Sequence, residues 1–156
     1  MKVVNAVFGL MVMLFVAVAF AEEPKPYHSQ YEEELLFCKT QSGKYLQVTR
    51  NSDSDVFSIL YGEDLRNPEQ STVRRGNNMG TSYRSSAQEG VENREIYVAE
   101  GQRFTTVGVN DRQGKKTGYI TILASNKEVV RDDCQPKTLE SRFSDYEQFQ
   151  SLTDVD

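Results

Sequence analysis

Short β-forming segments separated by turn clusters run through the middle of this chain, and they constrain its fold more than any other feature. Residues 104–109 and 119–123 alternate in side-chain character on either side of a glycine-containing turn, which predicts a hairpin. Residues 56–61 are apolar on both faces, which favours a central or covered strand. Six or seven such segments with no convincing helix between them predict an all-β fold, a single small antiparallel sandwich or barrel.

One long stretch inside this region does not follow the pattern. Residues 62–94 are poor in large apolar groups and rich in Asn, Ser, Gly and Arg. We expect this stretch to be the least ordered part of the domain, with Met79, Tyr83 and Val91 marking at most short edge strands.

The N-terminus has the three-part layout of a secretory signal peptide, which assigns residues 1–21 to a cleaved leader. Lys2 precedes an apolar run over residues 6–20, and the small side chains around Phe20 predict cleavage between Ala21 and Glu22. The alternative is a membrane anchor, but a span needs about 20 apolar residues and usually basic flanks, whereas acidic residues and a proline follow this run. We therefore expect a secreted, extracellular protein with no membrane segment after cleavage.

Both ends of the mature chain differ from its middle. Residues 22–34 contain two prolines and an acidic run, which predicts a flexible acidic arm before a β-rich domain at 35–135. Residues 136–156 form an acidic tail in which apolar side chains recur at helical spacing. Those side chains belong to Leu139, Phe143, Tyr146, Phe149 and Leu152. The spacing predicts a short amphipathic helix, and it leaves open a docked partner helix, a helix packed on its own domain, or a frayed tail.

The mature chain contains two cysteines, Cys38 and Cys134. Because the export route is oxidising, we expect them to form one disulfide bond within the chain. Such a bond would close a loop of about 100 residues, for which chain entropy assigns about 4 to 5 kcal/mol of stability. Pairing between two chains and two free thiols are the alternatives.

The residues give little support to catalysis or to metal binding, so we predict no enzyme, no cofactor and no metal site. Nucleophilic catalysis usually needs a histidine base, and His28 lies in the predicted flexible arm. Residues 51–55 place oxygen side chains at the first, third and fifth positions of an EF-hand-like loop. The sixth position there requires glycine and holds Val56, and the twelfth requires glutamate and holds Gly62, so a polar turn fits better. Paired carboxylates remain possible, because they meet only in three dimensions.

Basic residues occur in two short clusters within an acidic chain. The net charge of −5 falls to about −6 once Lys2 is removed, which argues against nucleic acid as a main partner. Lys115 and Lys116 lie in a predicted hairpin turn that lacks the spacing of a phosphate-binding loop. Arg74 and Arg75 are either a dibasic processing site in an exposed loop or, more simply, a solvated pair.

The hairpin at 104–123 resembles part of the insect multiprotein bridging factor 2 family. In that family a β-strand is followed by a short apolar stretch ending in Asp, a glycine-containing turn, and a Gly-Tyr pair that opens the next strand. Val107 and Asp111 fill the apolar and acidic positions here, and Gly118 and Tyr119 open the second strand. The resemblance implies a small, signal-bearing protein, and the family's name implies a transcriptional coactivator. It carries no functional residue across.

These features together favour a secreted, non-enzymatic binding or effector protein that acts through surface contacts with a protein partner in extracellular fluid. A small-ligand carrier or hydrolase built on a β-barrel is the first alternative, and a deep apolar pocket or two facing buried carboxylates would favour it. The coactivator role implied by the resemblance is the second alternative.

Overall fold

A computed structural model of the chain describes residues 32–51, 53–75 and 80–145. Within these ranges ten strands form two five-stranded antiparallel sheets, and the predicted all-β sandwich is confirmed. The first sheet has the order β10-β1-β2-β3-β4, and the second has the order β5-β6-β7-β8-β9. The strands are β1 (Glu32–Lys39), β2 (Tyr45–Asn51), β3 (Val56–Gly62), β4 (Gln70–Arg75), β5 (Thr81–Gln88), β6 (Val91–Glu100), β7 (Arg103–Arg112), β8 (Lys115–Ala124), β9 (Lys127–Asp133) and β10 (Glu140–Ser141).

Alternating side chains on the central strands build the hydrophobic core between the sheets. Each sheet turns one face inward, and the buried side chains alternate along β3, β7 and β8 as a period of two requires. The core cluster comprises Leu35, Leu36, Cys38, Leu46, Val48, Phe57, Ile59, Tyr61, Ile96, Val98, Val107, Val109, Ile120, Ile122, Cys134 and Phe143. Side chains therefore occupy the interior of the sandwich.

The predicted hairpin is confirmed and consists of β7 and β8. The two residues between these strands, Gln113 and Gly114, both have positive φ, at 54° and 84°. Two-residue turns of this kind match the right-handed twist of the flanking strands, so they fix the register of the hairpin. That register pairs Gly108 with Tyr119 and Asn110 with Thr117.

Residues 62–94 are more regular than the sequence suggested. They contain β4, β5 and the start of β6, so the expectation of at most short edge pieces is wrong for the described part of this stretch. The physical reason is that β4 and β5 are edge strands, whose ladder hydrogen bonds need one neighbour and few apolar side chains. Tyr83 lies in β5 and packs against the core, and Val91 opens β6. Met79 lies outside the described residues.

One side of the sandwich is closed by the backbone and by the disulfide bond. Thr40 forms a β-bridge with Cys134, and the amide of Gln41 donates to the carbonyl of Asp133 over 2.8 Å. The predicted bond between Cys38 and Cys134 is confirmed, with 5.7 Å between the Cα atoms and both residues buried. This closure joins the end of β1 in the first sheet to the end of β9 in the second.

The C-terminal residues that are described complete the sandwich. The backbone of β10 pairs with β1, and the amide of Arg142 donates to the carbonyl of Leu35 over 2.9 Å. A 3₁₀ turn over Phe143–Asp145 follows, and Phe143 is 1% exposed within the core. Over 139–145 these elements replace the predicted amphipathic helix, because the backbone gains strand pairing with β1 while Phe143 still reaches the core. The remainder of the predicted helix lies outside the described residues.

The N-terminal boundary of the domain also differs from the one drawn from sequence. Because β1 begins at Glu32, the last three residues assigned to the flexible arm form ladder pairs with β2. Two of these carboxylates have side-chain partners, since Arg142 lies 3.2 Å from Glu33 and Gln47 donates to Glu34 over 2.9 Å. No helix in the described ranges has the length and hydropathy needed to cross a membrane.

Candidate functional site

The candidate site residues drawn from the sequence either make local structural contacts or lie outside the described residues. Ala21, Glu22 and His28 fall outside the described residues. In the turn weighed for calcium, Asn51 Oδ1 accepts hydrogen bonds from the amides of residues 53 and 54, each over 3.1 Å. Asp55 in the same turn forms an ion pair with Arg50 at 3.1 Å. These contacts make it a polar turn, and the described ranges contain no group of three or more His, Cys, Asp or Glu side chains placed to hold a metal ion.

The two basic clusters have different surroundings. Arg74 lies within β4, where its backbone pairs with Phe57 and its side chain forms an ion pair with Glu100. Arg74 is therefore part of a strand, and the exposed-loop setting expected for a processing site is not found there. Lys115 and Lys116 point to opposite faces of β8, and Lys116 donates to Ser144 over 3.3 Å. Lys115 is exposed on the outer face.

A cavity of about 520 Å³ lies on the outer face of the second sheet, along β8 and β9. We call this cavity the outer groove. Its lining is mixed, with an aromatic ring, a cation, an anion and several neutral polar groups. The lining residues are Gln41, Asn110, Thr117, Gly118, Tyr119, Thr121, Arg131, Asp133, Cys134 and Pro136.

The aromatic residue of the outer groove, Tyr119, is held across the sheet by its neighbours. A Cβ atom built on Gly108 would lie 2.8 Å from Cε1 of Tyr119 and closer still to the hydroxyl end of the ring, so the ring rests where a side chain at 108 would stand. The hydroxyl donates to Glu95 over 2.8 Å and accepts from Asn93 over 3.1 Å. Burial is the main cause that raises the pKa of Tyr119 above its usual value, and the Glu95 carboxylate adds to it. The hydroxyl therefore stays protonated and remains a donor at neutral pH.

Much of the polar lining of the outer groove has no side-chain partner among the described residues. Thr117, Thr121 and Asp133 form no side-chain hydrogen bond there, and the ion pair of Arg131 with Glu128 is long, at 3.9 Å. These side chains offer both hydrogen-bond donors and hydrogen-bond acceptors, in a concave site of the size that small ligands use.

A second cavity, of about 400 Å³, adjoins the outer groove at the hairpin tip. Asn110 and Thr117 line both cavities, so the two lie side by side. The second cavity is also lined by Val91, Arg112 and Lys115, so its own lining is cationic.

Aromatic residues also occupy the far part of the same outer face. The rings of Tyr97 and Phe104 stack with their centroids 5.8 Å apart, and the Arg84 guanidinium lies 4.2 Å from the centroid of Tyr97. These contacts show that the outer face of the second sheet is an ordered polar and aromatic surface.

A polar cluster that sequence reasoning missed lies inside the closed side of the sandwich. Asp132 is 7% exposed and accepts from Tyr61 over 2.8 Å, from the amide of Ser42 over 3.2 Å, and from the Ser42 hydroxyl. Burial by itself would raise the pKa of Asp132, but hydrogen bonds from Ser42, Thr40 and Tyr61 outweigh it and lower that pKa. A carboxylate with a lowered pKa is a weak base, so this arrangement anchors the 40–44 turn to β9 and does not activate Ser42. No signal in the sequence singles out Asp132, because the residue beside it, Asp133, is of the same type.

No family model, curated protein or solved structure matches this chain. The resemblance to the multiprotein bridging factor 2 family therefore stays a prediction. What the fold and the site define is a class: a disulfide-closed antiparallel β-sandwich with a polar, aromatic-floored groove on one outer face.

Proposed function

We propose that this protein is a secreted, non-enzymatic binding protein and that the outer groove is its binding surface. The observation that carries the proposal is the groove itself, which combines a ring fixed in place with polar side chains that have no partner among the described residues. Binding sites commonly combine an ordered aromatic or apolar floor with a few polar groups that set orientation.

Secretion is supported by two independent features. The first 21 residues have the layout of a cleavable leader. The buried disulfide bond between Cys38 and Cys134 is of the kind that forms and persists in oxidising compartments. The carrier alternative has less support, because core side chains fill the interior of the sandwich.

The proposal is tested by blocking the outer groove and asking whether binding is lost. Thr117→Arg with Thr121→Arg would place two long side chains in the groove without changing the core. The matched control is Ser71→Arg with Val73→Arg, which puts the same side chains on exposed positions of β4 in the first sheet. The wild-type secreted protein and both variants would be immobilised and exposed to extracellular fluid from the source organism.

We expect the groove variant to lose the captured component and the control to retain it. Hydrogen exchange of the complex should then show protection in β7, β8 and β9. Equal capture by both variants would contradict the proposed binding surface.

A further inference from the structure

We infer that the outer groove and its cationic extension bind an acidic glycan, with a sugar ring against Tyr119 and an anionic substituent near Arg112 and Lys115. This inference rests on the proposed function and names its ligand class. Three features of the groove lead to it, which are its aromatic floor, its polar lining and its charge.

The aromatic floor suits one face of a pyranose ring. Such a ring presents a face of C–H groups that packs on an aromatic plane, while its hydroxyls point outward to polar partners. Tyr119 is fixed against Gly108 and anchored at its hydroxyl by Glu95 and Asn93. A ring held in this way loses little conformational entropy when a ligand stacks on it.

The polar lining suits sugar hydroxyls, which both donate and accept. Asp133 and Thr121 flank Tyr119 on the same outer face, and Asn110 and Thr117 form the next cross-strand pair. Carboxylate, amide and guanidinium groups can each engage two neighbouring hydroxyls at once. The lining combines these groups with two threonines and contains no large apolar side chain apart from Tyr119 and Pro136, so it fits a polyhydroxylated ligand better than a lipid or an apolar peptide.

The charge of the surface decides between a neutral and an acidic glycan. Arg112 and Lys115 are exposed side by side across the hairpin, and neither has an ion-pair partner among the described residues. They lie four residues along the strands from the Gly108 and Tyr119 pair, a distance of about 13 Å. An oligosaccharide that spans this distance, with a carboxylate or sulfate at one end, would contact the aromatic floor and the two cations together. Because the whole chain is acidic, this local positive end is a specific feature of the surface.

A nucleic acid fits the same surface less well. Its regularly spaced phosphates would need cations along the whole track, whereas the centre of the groove has one cation, Arg131, beside Asp133 and the neutral residues Asn110, Thr117 and Thr121.

The test is a titration of the full secreted protein with defined probes. Three acidic oligosaccharides, from hyaluronan, chondroitin sulfate and polygalacturonate, would be compared with the neutral chitohexaose and with polyglutamate, which carries charge without sugar rings. We expect at least one acidic oligosaccharide to bind, with an affinity that falls as salt is added. Chitohexaose should bind at least tenfold more weakly, and polyglutamate should not bind.

Two variants separate the charge from the aromatic floor. Arg112→Gln with Lys115→Gln should weaken binding of the acidic glycan about tenfold. Its matched control is Arg75→Gln with Lys127→Gln, which removes two exposed cations outside the groove and should leave binding unchanged. Tyr119→Leu should also weaken binding about tenfold, and Tyr119→Phe, which keeps the ring, should weaken it much less.

The outcomes keep this inference distinct from the proposed function. If no acidic oligosaccharide binds, or polyglutamate binds equally well, the glycan assignment is wrong. If the groove variant Thr117→Arg with Thr121→Arg nevertheless loses its extracellular partner, the proposed binding surface stands with another ligand. If glycan binding occurs but survives the groove and cation variants, the site has been placed on the wrong surface.

Discussion

Two tyrosines of this protein make the same hydrogen bond in different settings. Tyr61 donates to Asp132, and Tyr119 donates to Glu95, each over 2.8 Å. The first bond joins β3 of the first sheet to β9 of the second, inside the closed side of the sandwich. The second bond runs within the second sheet, from β8 across Gly108 to β6, on its outer face.

The difference shows how position decides what a polar contact does. A buried bond that crosses between the sheets adds to the contacts that hold the layers together, so its loss should lower the stability of the fold. A bond within one sheet adds little stability to strands that are already paired. Its loss should mainly change the shape of the outer groove. Substitutions at the closed side and at the outer groove test this distinction.

The largest effect should come from removing the disulfide bond at the closed side. Cys38→Ser with Cys134→Ser frees a loop of about 100 residues in the unfolded chain, which should lower the free energy of unfolding by about 4 kcal/mol. Urea denaturation of the mature protein measures this change. A loss below about 1 kcal/mol would mean that the backbone contacts between β1 and β9 are sufficient without the bond.

Asp132→Asn should be the next most damaging change. Its carboxylate accepts bonds from Ser42 and Tyr61 in a buried place, and hydrogen bonds to charged groups contribute about 1.5 to 3 kcal/mol, so we expect a loss of about 2 kcal/mol. Asp133→Asn is the matched control, since Asp133 is exposed on the same strand and should change stability by less than about 0.5 kcal/mol. Equal effects of the two substitutions would remove the distinction between inside and outside.

The same residue gives the expected response to acid. Because folding lowers the pKa of Asp132 below its unfolded value of about 3.9, its contribution is present above that pH and is lost as pH falls through the folded pKa. The free energies of unfolding of wild type and Asp132→Asn, measured from about pH 7 down to about pH 2, should therefore converge as the pH falls. A constant gap between the two curves would contradict the assigned shift.

Gly108→Ala should disturb the outer groove more than the fold. The new methyl group would meet the Tyr119 ring, which must move, at a cost of about 1 to 2 kcal/mol. In a Tyr119→Leu background the ring is gone, so the same change should cost much less, and the two substitutions should be non-additive. Urea denaturation of all four proteins completes the cycle, and simple additivity would show that Tyr119 does not occupy the space beside Gly108.

The smallest effect is expected for Tyr119→Phe, at about 0.5 kcal/mol, compared with about 1.5 kcal/mol for Tyr61→Phe. Glu95 keeps a 3.5 Å contact with Arg84 when the Tyr119 hydroxyl is removed, whereas Asp132 would lose one of its few partners.

Folding raises the pKa of both tyrosines, so their contributions are present below about pH 10 and are lost as pH rises further. Each Phe variant should therefore lose less stability than wild type above pH 10, as measured by alkaline unfolding. A larger loss for Tyr119→Phe than for Tyr61→Phe would reverse the comparison.

Several features of this fold could be predicted from residues alone. Alternation of apolar and polar side chains identified β7 and β8, because a buried sheet face requires a period of two, and apolar side chains on both faces identified β3 as a covered strand. The disulfide bond followed from having two cysteines in a chain whose first residues predict export. The Gly108 and Tyr119 pair was also within reach, since the Gln113-Gly114 turn sets the register that places them opposite each other.

Other features could not be predicted, because their side chains carry little local signal. The edge strands β4 and β5 are largely polar, and a strand is stabilised there by backbone bonds to one neighbour. The spacing of Leu139 and Phe143 fits a helix as well as it fits a strand followed by a turn, and only pairing with β1 distinguishes the two. Asp132 and Ser42 are 90 residues apart, so nothing local links them.

The sequence by itself therefore determined the class of fold, the pairing of its two cysteines and the hairpin that carries Tyr119. The tertiary structure decided which tyrosine lies inside, where the outer groove forms, and that the cationic tip adjoins it. The physical reason is that periodicity and turn chemistry act over a few residues, whereas a surface is assembled by strands whose order follows from how two whole sheets bury their apolar faces.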